Sequence, residues 1–264
     1  MARFFVLSEN IMYDENDGKA LSVRICGSDV RHIKDVLRMK KGDSISVCDS
    51  HGNEYKCCIS VFETDYIEAS VEYAARCVSE PRILVTLYQG VAKGEKMDMI
   101  VQKNVELGIN RIVPVLTEHT VVRYSSQKDA EKKQIRWQRI SEEAAKQCGR
   151  GIVPEVAVPM NFKEAISDAF AHADGADTLY IMPYENETDI TLKQIMSENL
   201  QRLSDSGDIK KICIFIGPEG GISRKEAVYA IENGFKSVTL GKRILRTETA
   251  GIAVVASVRY EIGD

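Results

Sequence analysis

The stretch ICIFIGPEGGIS, residues 212–223, decides the fold class of this 264-residue chain. Its first five residues form a continuous apolar run, which is typical of a strand buried on both faces of a parallel sheet. The run stops at Gly217, and Ser223 followed three residues later by Glu226 forms a capping box that predicts the start of a helix. The stretch therefore predicts a strand, a glycine-rich turn and a helix, which is the repeating unit of an α/β fold.

Working outward, apolar runs alternate with amphipathic helical patterns from about residue 81 to the end. This alternation predicts a parallel sheet with crossover helices. The predicted strands are 83–88, 111–116, 178–182, 212–216 and 237–240, and the predicted helices are 96–107, 135–148, 162–172, 188–202, 224–233 and 249–260.

The amino-terminal part has a different pattern, with short strands and turns interrupted by one helix over residues 29–38. It is typical of a small β-barrel with a basic helix on its side. We therefore predict two domains, residues 1–75 and residues 76–264.

Composition narrows the class only slightly. The net charge of −4 argues against a uniformly basic surface, although residues 24–41 and 120–150 carry a local excess of Lys and Arg. The seven cysteines include no C-x-x-C pair, and the four histidines are scattered, so we expect a reducing compartment and no metal site. No apolar run approaches the ~20 residues of a membrane span, and no signal-peptide core is visible, so we expect a cytoplasmic protein without membrane contact.

A second motif, VTLGKRILRTETAGIAVVAS, occupies residues 238–257. A short strand leads to a loop with the cations Lys242, Arg243 and Arg246, and an apolar helix follows. Thr247 or Thr249 can cap that helix. The loop is therefore expected at a charged surface, with the helix packed against the core.

Together the two motifs resemble those of the knotted SPOUT methyltransferase superfamily, and the 16S ribosomal RNA uridine-N3 methyltransferase family within it. That family carries a Gly-Pro-Glu-Gly-Gly loop, here Gly217–Gly221, and a Leu-Gly-x-x-Ile-Leu-Arg-x-Glu-Thr-Ala loop, here Leu240–Ala250. The resemblance extends to residues 31–43, 90–108 and 136–150. One departure is Lys242, where the family has proline.

The resemblance implies an amino-terminal PUA-like RNA-binding barrel and a carboxyl-terminal parallel sheet with a trefoil knot. It also implies a homodimer, 16S ribosomal RNA or the small subunit as partner, and S-adenosyl-L-methionine as cofactor. The residues it implies for the cofactor are Met182, Pro183, Tyr184, Ile216, Gly217, Pro218, Glu219, Gly220, Gly221, Leu240, Gly241, Ile244, Leu245, Thr249 and Ala250.

For methyl transfer to uridine N3, charge that develops on the uracil oxygens needs a cationic or N–H partner. We predict Arg246 for this role first and Arg243 second, with Glu248 or Glu219 as the base. Candidate RNA contacts are basic residues on both domains, namely Arg3, Arg31, His32, Arg38, Lys93, Lys103, Arg123, Arg139 and Arg150.

Three alternatives remain. The fold could serve a non-catalytic RNA-binding factor in ribosome assembly, or an enzyme that methylates another RNA nucleotide. A nucleotide hydrolase could use the glycine loop for phosphate, although no P-loop lysine followed by Ser or Thr is present. Binding of S-adenosylmethionine would favour a methyltransferase over an assembly factor, and binding of ATP would favour the hydrolase.

Overall fold

The computed structural model describes residues 1–172, 178–204 and 207–263, which group into two compact units. The first unit contains Met1–Glu80 together with Ala145–Val153, and the second contains Pro81–Ala144 and the residues from Pro154 onward. The predicted division into residues 1–75 and 76–264 stays a prediction. It treats each domain as one continuous segment, whereas the first unit also contains Ala145–Val153.

The first unit is built on a six-stranded sheet in which alternate residues point to one apolar core. Its first and fourth strands pair in parallel, and all other pairs are antiparallel. The strands, in the spatial order β1-β4-β5-β6-β3-β2, are β1 (Ala2–Phe5), β2 (Ile11–Tyr13), β3 (Ala20–Cys26), β4 (Ser44–Cys48), β5 (Asn53–Phe62) and β6 (Tyr66–Arg76).

The helix predicted over 29–38 is shorter and less regular than expected. Helix α1 covers only Ser28–Arg31, with Gly27 rather than Ser28 at its N-cap, and a π-helical turn follows over His32–Val36. A π turn adds a residue to the repeat, which rotates the residues after it away from the buried face. Val30 and Ile33 are accordingly buried, whereas Leu37 is 40% exposed.

The second unit contains a seven-stranded sheet in which every pair is parallel, so the predicted α/β fold with a parallel sheet is confirmed. The spatial order is β10-β8-β7-β12-β11-β13, with β9 beside β8. The knot stays a prediction. The strands are β7 (Leu84–Gly90), β8 (Arg111–Leu116), β9 (Glu155–Val156), β10 (Met160–Asn161), β11 (Thr178–Pro183), β12 (Lys211–Ile216) and β13 (Lys236–Val238).

Six helices accompany this sheet in the described residues: α2 (Lys96–Glu106), α3 (Gln127–Cys148), α4 (Phe162–Ala171), α5 (Leu192–Asn199), α6 (Arg224–Glu232) and α7 (Thr247–Ile262). Helix α3 begins eight residues before the predicted start at residue 135. The prediction began too late because the polar stretch 127–134 shows no apolar period. Helix α5 begins later than predicted, where Thr191 and Gln194 form a capping box. In the described ranges, no helix has both the length and the apolar character needed to cross a membrane.

The core of the second unit lies on both faces of β12. On one face Phe215 stacks on Tyr88, with ring planes 2° apart, and packs edge-on against Phe162 of α4. On the other face α7 packs against β7 and β12 with Gly251, Val254 and Val258 buried. Apolar residues on both faces of one strand explain the uninterrupted run at 212–216.

The guanidinium of Arg259 in α7 is also buried. Arg259 is 6% exposed, and its guanidinium donates hydrogen bonds to the carbonyl of Ile83 at 2.8 Å, the carbonyl of Gly108 at 2.5 Å and Oδ1 of Asn110 at 3.2 Å. The arginine therefore ties the last helix to the start of β7 and to the turn before β8.

We expect Arg259→Ala to lower the free energy of unfolding by about 3 kcal/mol, because it leaves buried oxygens without donors. Urea unfolding of the purified protein measures this change. Tyr260→Ala is the matched control, since Tyr260 is 84% exposed on the same helix and its loss should change little. Equal losses in the two variants would contradict the role given to Arg259.

Candidate active site

Three loops singled out in the sequence meet at one edge of the second sheet. Strands β7, β12, β11 and β13 are neighbours in parallel register, so their carboxyl ends lie side by side. In open α/β sheets, ligands bind at this edge. The loops that leave it begin at Tyr184, Gly217 and Thr239, and the Tyr184 amide donates to the Val238 carbonyl at 3.0 Å.

The buried hydroxyl of Thr247 joins the glycine loop, the end of β7 and the start of α7. Thr247 is 5% exposed, and its Oγ1 donates to the Gly217 carbonyl at 2.6 Å while accepting from Nε2 of Gln89 at 2.8 Å. Gln89 is fully buried at the end of β7. Gln89 has no role predicted from sequence. The available sequence signal was its position directly after the predicted apolar strand 83–88, since a buried amide needs hydrogen-bond partners.

The start of α7 also differs in detail from the prediction. Arg246 occupies the N-cap position, and its carbonyl accepts from the amides of Thr249 and Ala250. Thr247 is the first helical residue and uses its hydroxyl for the bridge to Gly217 instead of for a cap. The helix start is therefore attached directly to the glycine loop.

Two glycines are required by the path of the backbone at this edge. A Cβ on Gly90 would lie 2.4 Å from the nitrogen of Pro218, so only glycine lets the end of β7 pass the glycine loop so closely. Gly221 has φ +71°, a conformation that other residues rarely adopt. The predicted capping box of Ser223 and Glu226 then starts α6.

The segment after β8 holds the glycine loop from the other side. Nδ1 of His119 lies 2.8 Å from the carbonyl oxygen of Gly220. One carboxylate oxygen of Glu226 accepts from the Ser223 amide, and the other accepts from the Glu118 amide at 2.9 Å. The glycine loop is thus bound on one side by Thr247 of α7 and on the other by the segment that follows β8.

Lys96, at the start of α2, lies between the two carboxylates proposed from sequence as bases. Its Nζ is 3.0 Å from Oε1 of Glu219 and 3.6 Å from Oε2 of Glu248. Partial burial raises the pKa of Glu219, but the Lys93 amide and the Lys96 ammonium outweigh it and hold the pKa below its usual value. Glu219 is therefore a paired anion at neutral pH and a poor proton acceptor.

Glu248 has a different environment. Its side chain is 13% exposed, and its Oε2 is enclosed by protein without a hydrogen-bond partner among the described residues, the Lys96 ion pair being longer than a hydrogen bond. Arg243 and Arg246 are exposed nearby in the chain. The two carboxylates thus differ in their partners, because Oε1 of Glu219 accepts from both the Lys93 amide and the Lys96 ammonium.

The residues predicted for the cofactor divide by burial. Met182, Ile216, Pro218 and Ala250 are buried. The others are partly or fully exposed at the same edge, and Ile244 is 89% exposed. The partly or fully exposed ones are Pro183, Tyr184, Gly217, Glu219, Gly220, Gly221, Leu240, Gly241, Leu245 and Thr249.

Two of the predicted RNA contacts are enclosed within the first unit. Arg150 is 2% exposed and its guanidinium donates to both carboxylate oxygens of Glu80, at 2.7 and 3.3 Å. Arg3 donates to Glu54 at 2.8 Å and to the thiol of Cys48. These contacts give both arginines structural roles, and we do not retain Arg150 as an RNA contact, because its charge is paired and inaccessible.

The remaining predicted RNA contacts lie nearer solvent. Lys103 is paired with Glu106 one helical turn away in α2. The exposed ones are Arg31, His32 and Arg38 in the first unit and Lys93, Arg123 and Arg139 in the second. Within the described ranges, no three His, Cys, Asp or Glu side chains cluster in a way that could hold a metal ion.

Comparisons with known proteins bear on the class of this site. Residues 79–259 match the family described as an RNA methyltransferase domain, and residues 25–72 match the RNA methyltransferase PUA domain. The chain is similar to ribosomal RNA small subunit methyltransferase E of Bacillus subtilis, with 30% identity over 264 residues that cover 99% of this chain and 97% of that protein. The same-named protein of Buchnera aphidicola subsp. Schizaphis graminum is 31% identical over 92% of each chain.

A solved structure is similar over the whole chain. The ribosomal RNA small subunit methyltransferase E from Neisseria gonorrhoeae, bound to S-adenosyl methionine, has a TM-score of 0.80 and 32% identity, and the alignment covers 98% of this chain and 97% of that one. Fold and domain matches thus define an RNA methyltransferase domain accompanied by a PUA domain. The chain belongs to the ribosomal RNA small subunit methyltransferase E family, which confirms the family and the PUA-like domain predicted from sequence.

The hydroxyl bridge leads to a stability prediction. We expect Thr247→Val to lower the free energy of unfolding by roughly 2 kcal/mol, because the Gly217 carbonyl and the Gln89 amide lose a buried partner. Urea unfolding measures the change. Thr249→Val is the control, since Thr249 is exposed two residues away on the same helix. Unchanged stability of Thr247→Val would contradict the bridge.

Proposed function

We propose that this chain transfers the methyl group of S-adenosyl-L-methionine to N3 of a uridine in 16S ribosomal RNA of the small subunit. The observation that carries the proposal is the meeting of three loops at the carboxyl edge of the parallel sheet, where Thr247, at the end of the third loop, binds the Gly217 loop and the end of β7. Family membership and the cofactor named for the Neisseria gonorrhoeae relative support the same conclusion.

The residues at this edge fit such a cofactor. No heavy atom lies within 4 Å of where a Cβ on Gly241 would be, so a ligand can approach the bare backbone of that loop. Half-buried Leu240 and Leu245 offer apolar surface on either side of it. Bare backbone next to apolar side chains suits adenine, which is recognised by backbone hydrogen bonds and apolar contacts.

We assign the cofactor to the loops after β11, β12 and β13, with the residues given above for that role. When bound, the cofactor supplies a methyl group activated by the positive sulfonium. The chain's part is to hold donor and acceptor in line, because alignment alone can remove about 7–11 kcal/mol of the barrier.

The proton on uracil N3 must leave for methyl transfer to occur. Glu248 is our choice as acceptor, since Lys96 and the Lys93 amide already occupy Glu219. Arg246 then stabilises the negative charge that develops on the uracil oxygens, with Arg243 as second choice. Both arginines are exposed, so either side chain is free to reach a bound base.

RNA would be bound by cations of both units, with Arg31, His32 and Arg38 in the PUA-like unit. We also propose that the protein is a cytoplasmic homodimer and needs no metal. The homodimer is what the family resemblance implies.

The target nucleotide is tested by mapping. We expect small-subunit RNA from a strain lacking this gene to lose one N3-methyluridine, and the purified protein with S-adenosylmethionine to restore it. Mass spectrometry of nuclease fragments detects the modification. Restoration of a different methylated nucleotide would replace the proposed target, and the absence of any methyl transfer would favour a non-catalytic assembly factor.

We expect Arg246→Ala to lower the rate of methyl transfer by at least about 100-fold, as loss of a charge-stabilising donor does. Cofactor affinity, measured by calorimetry, should stay close to that of the unaltered protein. Lys242→Ala is the matched control, because it removes a cation from the same exposed loop without an assigned role. Parallel losses of rate and cofactor affinity in Arg246→Ala would show that the arginine binds the cofactor.

A further inference from the structure

A basic cavity of about 480 Å³ lies beside the first turns of α3, within the second unit. One wall is the segment 122–125 that precedes the helix. The other wall is a helix face that carries Asp129, Lys132, Lys133 and Arg136, whose spacing of three and four residues puts them on the same side. The volume lies in the range of small-ligand sites.

The lining is strongly positive. Arg123 adds a fourth cation to the three on the helix, against the single carboxylate of Asp129. That carboxylate accepts from the Ser125 hydroxyl, which holds its pKa below the usual value, so it is a satisfied anion at neutral pH. A cavity with this charge attracts an anionic group.

Several of the cations are available to a ligand. Arg136 pairs with Asp98 of α2. In the part of the chain that the structure describes, Arg123 donates only to the backbone carbonyls of Thr120 and Val122. Lys132 and Lys133 are exposed and form no ion pair with any residue in the described ranges. Among the described residues, Lys132, Lys133 and Arg123 therefore have no carboxylate within ion-pair distance, although Lys132 is close enough to Asp129 to help lower the pKa of that carboxyl.

The lining also contains a hydroxyl that lacks a partner. Oη of Tyr124 is enclosed by protein and, in the described part of the chain, has no hydrogen-bond partner. Burial raises the pKa of Tyr124 to about 12, so the group is a neutral donor at physiological pH. The side chain of Tyr124 therefore contributes a neutral, enclosed wall to the cavity, and the charge of the lining comes from the four cations and Asp129.

The residues that line the cavity are close in sequence to residues of the candidate active site. His119, whose ring contacts Gly220 of the glycine loop, precedes the cavity wall by only three residues. Asp98, which pairs with Arg136, lies in the same turn of α2 as Lys96. Short segments of the chain thus connect the cavity to the candidate active site.

We propose that this cavity binds phosphodiester groups of the RNA substrate and positions the strand next to the methyl-transfer site. The inference rests on the proposed function and deepens it. Arg123 was named from sequence as an RNA contact. Lys132, Lys133 and Arg136 lie in the basic stretch 120–150, and their individual assignment to the RNA backbone is new.

The chemistry favours the RNA backbone over a free anion. Free phosphate or a nucleotide is usually held by enclosed donors, whereas Lys132, Lys133 and Arg123 are exposed. Exposed cations along about one turn of helix, with Arg123 in the segment before it, suit a strand that passes by, and they bind it without reading bases.

The test uses the full-length protein and the small-subunit ribosomal RNA that it methylates. We expect the double variant Lys132→Gln/Lys133→Gln to bind RNA roughly tenfold more weakly at low salt, and the slope of log affinity against log salt to fall by about 1 to 2. Tyr124→Phe should change neither the RNA affinity nor the slope, since no charge is lost and the hydroxyl is enclosed. Cofactor affinity should be unchanged in both.

The matched control is Lys193→Gln/Lys236→Gln, which removes two exposed lysines outside the cavity. It should bind RNA like the unaltered protein. Equal RNA affinity and equal salt slopes for the cavity and control variants would overturn the proposal. If the cavity variant binds naked RNA normally but assembled subunits weakly, the partner is a ribosomal protein, which also overturns it.

Inorganic phosphate separates the two sources of the ligand. We expect it to displace RNA only at concentrations where any salt does, and tight binding of phosphate that depends on Lys132 and Lys133 would identify a free anion instead. Failure of the proposed function has a different signature. The unaltered protein would then transfer no methyl group or bind no cofactor, whereas the loss of RNA affinity in the cavity variant would remain.

Discussion

The hydrogen bonds of the Thr247 hydroxyl are the interaction on which the candidate site depends. They join a strand end at Gln89, a loop at Gly217 and the first turn of the last helix, which are far apart in sequence. Parallel register brings the three segments to one edge, but register alone leaves loops free to move. The buried hydroxyl satisfies groups on two of the segments from the third, so displacement of any one of them leaves a buried polar group without its partner.

Arginine in this chain shows how environment decides the role of a residue type. Arg150 and Arg259 are buried and bind oxygens of their own unit, so their charge stabilises the fold. Arg243 and Arg246 are exposed beside the glycine loop. The two carboxylates near Lys96 also differ in environment. Lys96 forms a hydrogen bond with Glu219 and only a longer ion pair with Glu248. Burial and partners, rather than residue type, decide which groups are available for chemistry.

Local patterns predicted most of the second sheet. The run at 212–216 became β12 with one added residue, and the capping box at Ser223 was confirmed. The failures have physical causes. A π turn after α1 interrupted the helical period, and the polar start of α3 carried no apolar signal. Strands β9 and β10, of two residues each, are too short to show any period.

By itself, the sequence determined the alternation of strands and helices, the two glycine-bearing loops and the family resemblance, because these are written in neighbouring residues. Tertiary structure alone decided that Gln89 and Thr247 meet, that Arg150 is enclosed, and that Lys132, Lys133 and Tyr124 line one cavity with Arg123. The reason is that burial and pairing depend on segments brought together from distant positions, and one-dimensional spacing carries no information about which distant groups share a space.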